Sequence, residues 1–171
     1  MTILKSTLII FTLFLFSCSK TVPASFWTNF DRNLQRENIS DQGPWGGHRT
    51  LFWRCEANET FNTKRIVEFA TSNGWTFVNS SFYKSDDIKS WTYLDKKIFP
   101  LSHEGFNATA SSLNGSYKYF PRWTNSDVWV LRFKTGWVSI KPGTEKSNEI
   151  NGFVMLNKDK NEMTVYHLWG E

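Results

Sequence analysis

Residues 48–78 read HRTLFWRCEANETFNTKRIVEFATSNGWTFV, and two different hydrophobic periods meet in them. Over 48–57, Leu51, Trp53, Cys55 and Ala57 fall on one side, with Thr50, Arg54 and Glu56 on the other. That is the period-two alternation of a strand. It turns Cys55 inward, where a free thiol behaves as a small hydrophobe. Residues 58–62 make a turn, and Asn62 or Thr63 offers a side-chain oxygen to the first free N–H groups of a helix. Ile66, Val67, Phe69 and Ala70 then form an apolar face at helical spacing, and Gly74 stands where helices commonly stop. Trp75-Thr-Phe-Val78 follows at once as a second strand, which can run on to Tyr83. A strand, a helix over 63–73 and a further strand form a β-α-β unit, the clearest structural signal in the chain.

Working outward toward the C-terminus, Trp129, Leu131 and Phe133 alternate with Val128, Val130 and Arg132. Trp137-Val-Ser-Ile140 continues past Gly136, which marks a bulge or turn, and 141–147 is a connecting loop. Ile150–Leu156 and Glu162–Trp169 then make a hairpin across 157–161. Strands that first enclose one helix and then run as a meander predict an α+β fold. The expected domain is a single antiparallel-rich β-sheet with one main helix packed on one face.

Toward the N-terminus, Trp27, Phe30 and Leu34 fall at i, i+3 and i+7, the spacing of a short helix. Asp41-Gln-Gly-Pro-Trp-Gly-Gly47 ends it, because glycines and proline interrupt regular structure. Trp45 within that loop reads as a lid over the core or, alternatively, as an exposed contact. Between the two halves, 84–97 fits either a helical turn or a strand edge around Trp91, and 101–127 is rich in Ser, Asn and Gly. A loop of that length inside one domain is commonly functional.

Catalytic chemistry has little to stand on. His48, His103 and His167 are the only histidines, and no two lie within one helical turn of each other. His-Glu-x-x-His zinc helices, Gly-x-Ser-x-Gly elbows and phosphate-cradling glycine loops are missing from the sequence. His167, beside Tyr166, reads as a strand surface residue. No catalytic residue, metal site or cofactor is expected. The aromatic content is the stronger peculiarity: Trp, Tyr and Phe make up 17% of the chain, with Trp in 9 places. A core absorbs many of these rings. Trp45, Trp91, Tyr117, Tyr119, Phe120 and Trp123, however, fall in segments read as loops or edges, so they are the candidate partner-binding residues. Such rings give large contact area with few rotors.

The first twenty residues, MTILKSTLIIFTLFLFSCSK, carry an apolar run from Leu8 to Phe16 behind Lys5. It is shorter than the roughly 20 apolar residues that a membrane span needs, and has the proportions of a secretory signal core. Leu15-Phe16-Ser17-Cys18 resembles the lipobox of bacterial lipoproteins, although Phe16 departs from the small or β-branched residue usual there. The resemblance implies that 1–17 is a signal peptide, that Cys18 is diacylated, and that 18–26 is a lipidated tether to a domain over 27–171. It also favours the outer membrane, since Ser19 is not the aspartate that holds such proteins at the inner one. A plain signal peptide with an incidental Cys18 is the alternative.

Removing 17 residues from 171 leaves 154, enough for one ordinary core. Lys5 is the only charge lost, so the formal +4 becomes +3, scattered along the chain. The nearest basic patch, Lys118 with Arg122, is weak, so no nucleic-acid partner is expected. With only Cys18 and Cys55, at most one disulfide is possible. Five Asn-x-Ser/Thr sequons, at Asn38, Asn58, Asn79, Asn107 and Asn114, would suit a eukaryotic secretory route. A chain rich in Asn, Ser and Thr produces such triplets by chance. These features together predict a lipid-anchored bacterial envelope protein acting as a non-catalytic protein-binding module of accessory, assembly or immunity type. Its partners would be the membrane, through Cys18, and an envelope or secreted protein. A glycan- or peptidoglycan-binding module using exposed tryptophans is the rival.

Overall fold

The computed structural model describes residues 23–86, 127–140, 145 and 147–170. Two 3-10 turns, Ser25–Asn29 and Arg32–Leu34, lead into β1 (Gln35–Gln42) and β2 (Gly46–Arg54). Helix α1 (Thr63–Ser72) and β3 (Thr76–Tyr83) come next, then β4 (Val128–Ile140), β5 (Ser147–Asn157) and β6 (Glu162–Gly170). Among the described residues the strands form one sheet in the order β1-β2-β6-β5-β4-β3, each neighbouring pair antiparallel. The fold is α+β, mostly antiparallel sheet with one helix.

Direction alternates at each step of that order, so β2 and β3 run the same way with three strands between them. The β-α-β unit is therefore a crossover that carries the chain from the second position of the sheet to its far edge. Four strand spacings amount to about 19 Å. Ten helical residues cover about 15 Å, so α1 and its short flanks match the distance. The start of α1 is set by Asn62, whose Oδ1 accepts from the Arg65 N–H at 3.1 Å. Asn73 and Gly74, the latter at φ 91°, close its other end.

Register assigns each side chain to a side of the sheet. Leu51, Trp53, Leu131, Phe133, Val154, Leu156, Met163 and Val165 lie on one side of the sheet, the front, and belong to one buried cluster with Trp27, Phe30, Phe61, Ile66, Ala70 and Trp75. Phe69 and Val67 pack against it from α1. The Trp53 indole N–H donates to the Phe30 carbonyl at 2.8 Å, which ties the N-terminal turns to the sheet. Arg65 of α1 clamps Asp31 through both terminal guanidinium nitrogens, at 2.5 and 3.0 Å, with its charge over the Phe30 ring.

Four expectations are corrected here. Trp27 and Phe30 are buried as their spacing implied, but the backbone forms two 3-10 turns, because Asp31 takes φ 37° and interrupts the helix. Residues 35–42 form β1, whose sequence QRENISDQ has no apolar alternation to betray it. The strand expected over 48–57 begins at Gly46 and stops at Arg54, leaving Cys55 half-buried against the cluster. Thr50, assigned to the polar side of that strand, is also buried, as are His48 and Phe52. Both sides of the central strands are thus shielded.

Candidate functional site: an aromatic rim at one end of the sheet

Gly43, Pro44 and Trp45 form the turn between β1 and β2, closed by the Gly43 N–H donating to the Gly46 carbonyl at 2.7 Å. The turn carries the Trp45 ring away from the sheet and leaves it 78% exposed. Trp45 is therefore no lid. Of the six candidate partner-binding residues it is the one that the structure describes. Trp91, Tyr117, Tyr119, Phe120, Trp123, the lipidation candidate Cys18 and the loop residue His103 lie outside the described residues.

Two further apolar residues join Trp45 at this end. The β4–β5 ladder pairs Lys134 with Ile150 and resumes only at Ser139 with Asn148, so 135–138 are lifted out of register. Gly136, at φ 79°, provides the left-handed step that L residues resist. Trp137 and Val138 emerge 44% and 41% exposed. Gly170 then draws the pieces together, because it pairs with Gly46 beside Trp45 and with Ser139 beside Val138. It sits at φ 74°, and a Cβ there would collide with the Trp45 carbonyl oxygen and Gly46 Cα. Glycine is needed twice over at that point.

A buried polar network supports the rim. Asn151 Nδ2 donates to the backbone carbonyls of Trp137 at 3.0 Å and Leu168 at 2.9 Å, which fixes its amide orientation. Asn151 Oδ1 must then accept from the Thr135 hydroxyl, 2.9 Å away. That uses the only hydroxyl proton, so the contact of 3.0 Å between Thr135 Oγ1 and His167 Nε2 requires the imidazole to donate. The Trp137 N–H adds a third bond to Thr135 Oγ1, at 3.2 Å. The backbone of Trp137 is thereby held from both sides, by Thr135 and by Asn151.

His167 is fully buried, with its ring 5.5 Å from Trp75 and 5.0 Å from Trp169, which corrects its reading as a surface residue. Burial lowers its pKa from 6.5 to about 3, so it is neutral at physiological pH. Its Nδ1 lone pair has no hydrogen-bond partner among the described residues. An imidazole that donates to a hydroxyl already giving its proton away cannot serve as that hydroxyl's base, so Thr135 and His167 are no nucleophile pair. His48 is buried too, stacked on Tyr166 with ring centroids 6.2 Å apart. Burial, then Glu59 and Asp31, raise the Cys55 pKa and keep it a thiol. Among the described residues no cluster of His, Cys, Asp or Glu is placed to hold a metal ion.

The remaining described tryptophans go to the core: Trp27, Trp53, Trp75 and Trp169 are buried, and Trp129 is partly so. This separates Trp45 and Trp137 from the rest. Trp45 was legible as a loop residue because Gly-Pro-Trp-Gly-Gly cannot continue regular structure, but its exposure was only the alternative to a lid. Trp137 and Val138 were missed, the lone hint being Gly136. Comparison with family models, curated proteins and solved structures finds no match for this chain.

Proposed function

We infer that this chain is a lipid-anchored bacterial envelope protein that acts as a non-catalytic protein-binding module through aromatic side chains displayed at one end of its sheet. The observation that carries the binding reading is the exposure of Trp45, Trp137 and Val138 at one end of the sheet, with the backbone of Trp137 fixed by a buried network. Tryptophan rings have few rotors and lose little freedom on association, which is why Trp is enriched at binding hot spots. The anchor is supported by Leu15-Phe16-Ser17-Cys18. Among the described residues no helix is long and apolar enough to cross a membrane. The reading includes α1 laid over the front of the sheet, with Ile66 and Ala70 against Leu51, Val154 and Val165, and Trp91, Tyr117, Tyr119, Phe120 and Trp123 adding to the binding surface.

The test is capture from detergent-solubilised envelopes by the wild-type chain and by Trp45→Ala, Trp137→Ala and the double variant. Each truncation should weaken capture by about 2 kcal/mol, some thirtyfold, with little change in melting temperature because both rings are solvated. Undiminished capture by the double variant contradicts the assignment. Binding of peptidoglycan fragments, read as a thermal upshift lost in the same variants, would favour the glycan reading instead.

A further inference from the structure

The two edges of the sheet are built differently. β1 carries Arg36 and Glu37, and its pairing with β2 is broken by a bulge between Gln35 and Glu37. Charges and bulges are common means of blocking further strand pairing. β3, the outermost strand at the other edge among the described residues, reads TFVNSSFY without a single charge. Phe77, Val78 and Phe82 are 38%, 37% and 41% exposed along it. An uncharged edge strand with exposed aromatic rings invites another strand.

The register of β3 shows which strand fits. Phe77 pairs with Phe133 and Asn79 with Arg132, so Val78 is an extra residue outside the ladder. Phe77 and Phe82, five apart in sequence, would face opposite sides of a regular strand. The bulge brings both to the front, where Phe77 meets Phe133 at 5.6 Å and Phe82 meets Trp129 at 4.8 Å. Asn79 and Ser81 point to the back, each accepting from the Arg132 guanidinium at 3.3 Å. With Val78 left out, Ser80 is the midpoint between the two phenylalanines. A two-fold axis through Ser80 then sets Phe77 opposite Phe82 of a second copy, twice over, on the front. On the back it sets Asn79 opposite Ser81, also twice. Every residue meets one from the same side, as antiparallel pairing demands.

The geometry points to β3 as a homodimer interface, at which a second copy of this chain pairs antiparallel about Ser80 to make one continuous sheet. With β1 blocked, the association closes at two copies instead of growing into a filament. The inference stands apart from the aromatic rim, since neither Trp45 nor Trp137 takes part.

Two measurements on the full-length chain in mild detergent test it. Sedimentation should report a dimer, and Ser80→Lys should weaken it at least about tenfold by setting like charges directly opposite, with the melting temperature kept because Ser80 is exposed. A short bis-maleimide should join Ser80→Cys chains into a covalent dimer in much higher yield than Lys64→Cys on the exposed surface of α1. A monomer at about 100 µM, far above the micromolar range of specific association, overturns the inference. So does equal cross-linking at both positions, or cross-linking of position 80 to a different protein.

Discussion

Burial of His167 links folding to pH. In the unfolded chain its imidazole takes a proton below its ordinary pKa of 6.5, whereas the folded chain refuses one until about 3. Between those values the unfolded state binds more protons, so stability is fully present above pH 6.5 and is lost as pH falls toward 3. Urea titrations should show a loss of about 2 kcal/mol on going from about pH 7.5 to about pH 5. The part due to this residue should vanish in His167→Gln. A flat profile over that interval would mean that the imidazole is solvated. Gly152, opposite His167 in the ladder, gives a second test at this scale. A Cβ there would lie 2.5 Å from Thr135 Cγ2 and 2.8 Å from Trp75 Cζ3. Gly152→Ala should therefore cost about 1–3 kcal/mol, the range for overpacking a filled interior. An unchanged denaturation midpoint would contradict the packing around Thr135.

Helix α1 is short enough that its N-cap matters. Asn62→Ala should cost about 1 kcal/mol in chemical denaturation, because the Arg65 N–H loses its acceptor. A cost near zero would show that water replaces the cap. This element was legible in the sequence, since cap, apolar face and terminal glycine all lie within thirteen residues and need no tertiary partner. The β5–β6 hairpin was legible for the same reason. β1 was not: a polar edge strand has no apolar side to impose a period, and only its pairing with β2 makes it a strand. The turns around Trp27 show the opposite failure. There the i, i+3, i+7 spacing correctly named Trp27 and Phe30 as buried, with Leu34 partly so, but local spacing cannot reveal that Asp31 turns left-handed to meet Arg65. His167 and Thr50 misled because alternation within one strand predicts one wet side, and here both sides are covered. The slip that exposes Trp137 depends on Ser139 meeting both Asn148 and Gly170, contacts that no local pattern encodes.

At the scale of the whole molecule, the proposed lipid anchor would tether a packed α+β domain that displays an aromatic rim. Two or three acyl chains on Cys18 would hold the domain stably, at about 0.8 kcal/mol per buried methylene, where one chain holds only marginally. Cys18→Ser should leave an uncleaved precursor retained by residues 8–16, or a mis-cleaved soluble form, distinguished by fractionation. Anchoring would also change what the rim must achieve, because confinement to a surface would raise the effective concentration of an envelope partner and permit modest intrinsic affinity. The anchor rests on the chemistry at one sulfur atom, so its most direct test is the intact mass of the mature protein extracted from cells. The account predicts a chain beginning at Cys18 with the added mass of a diacylglycerol and, in many bacteria, a further acyl group. An unmodified chain beginning at Lys20 or Ser25 would contradict it.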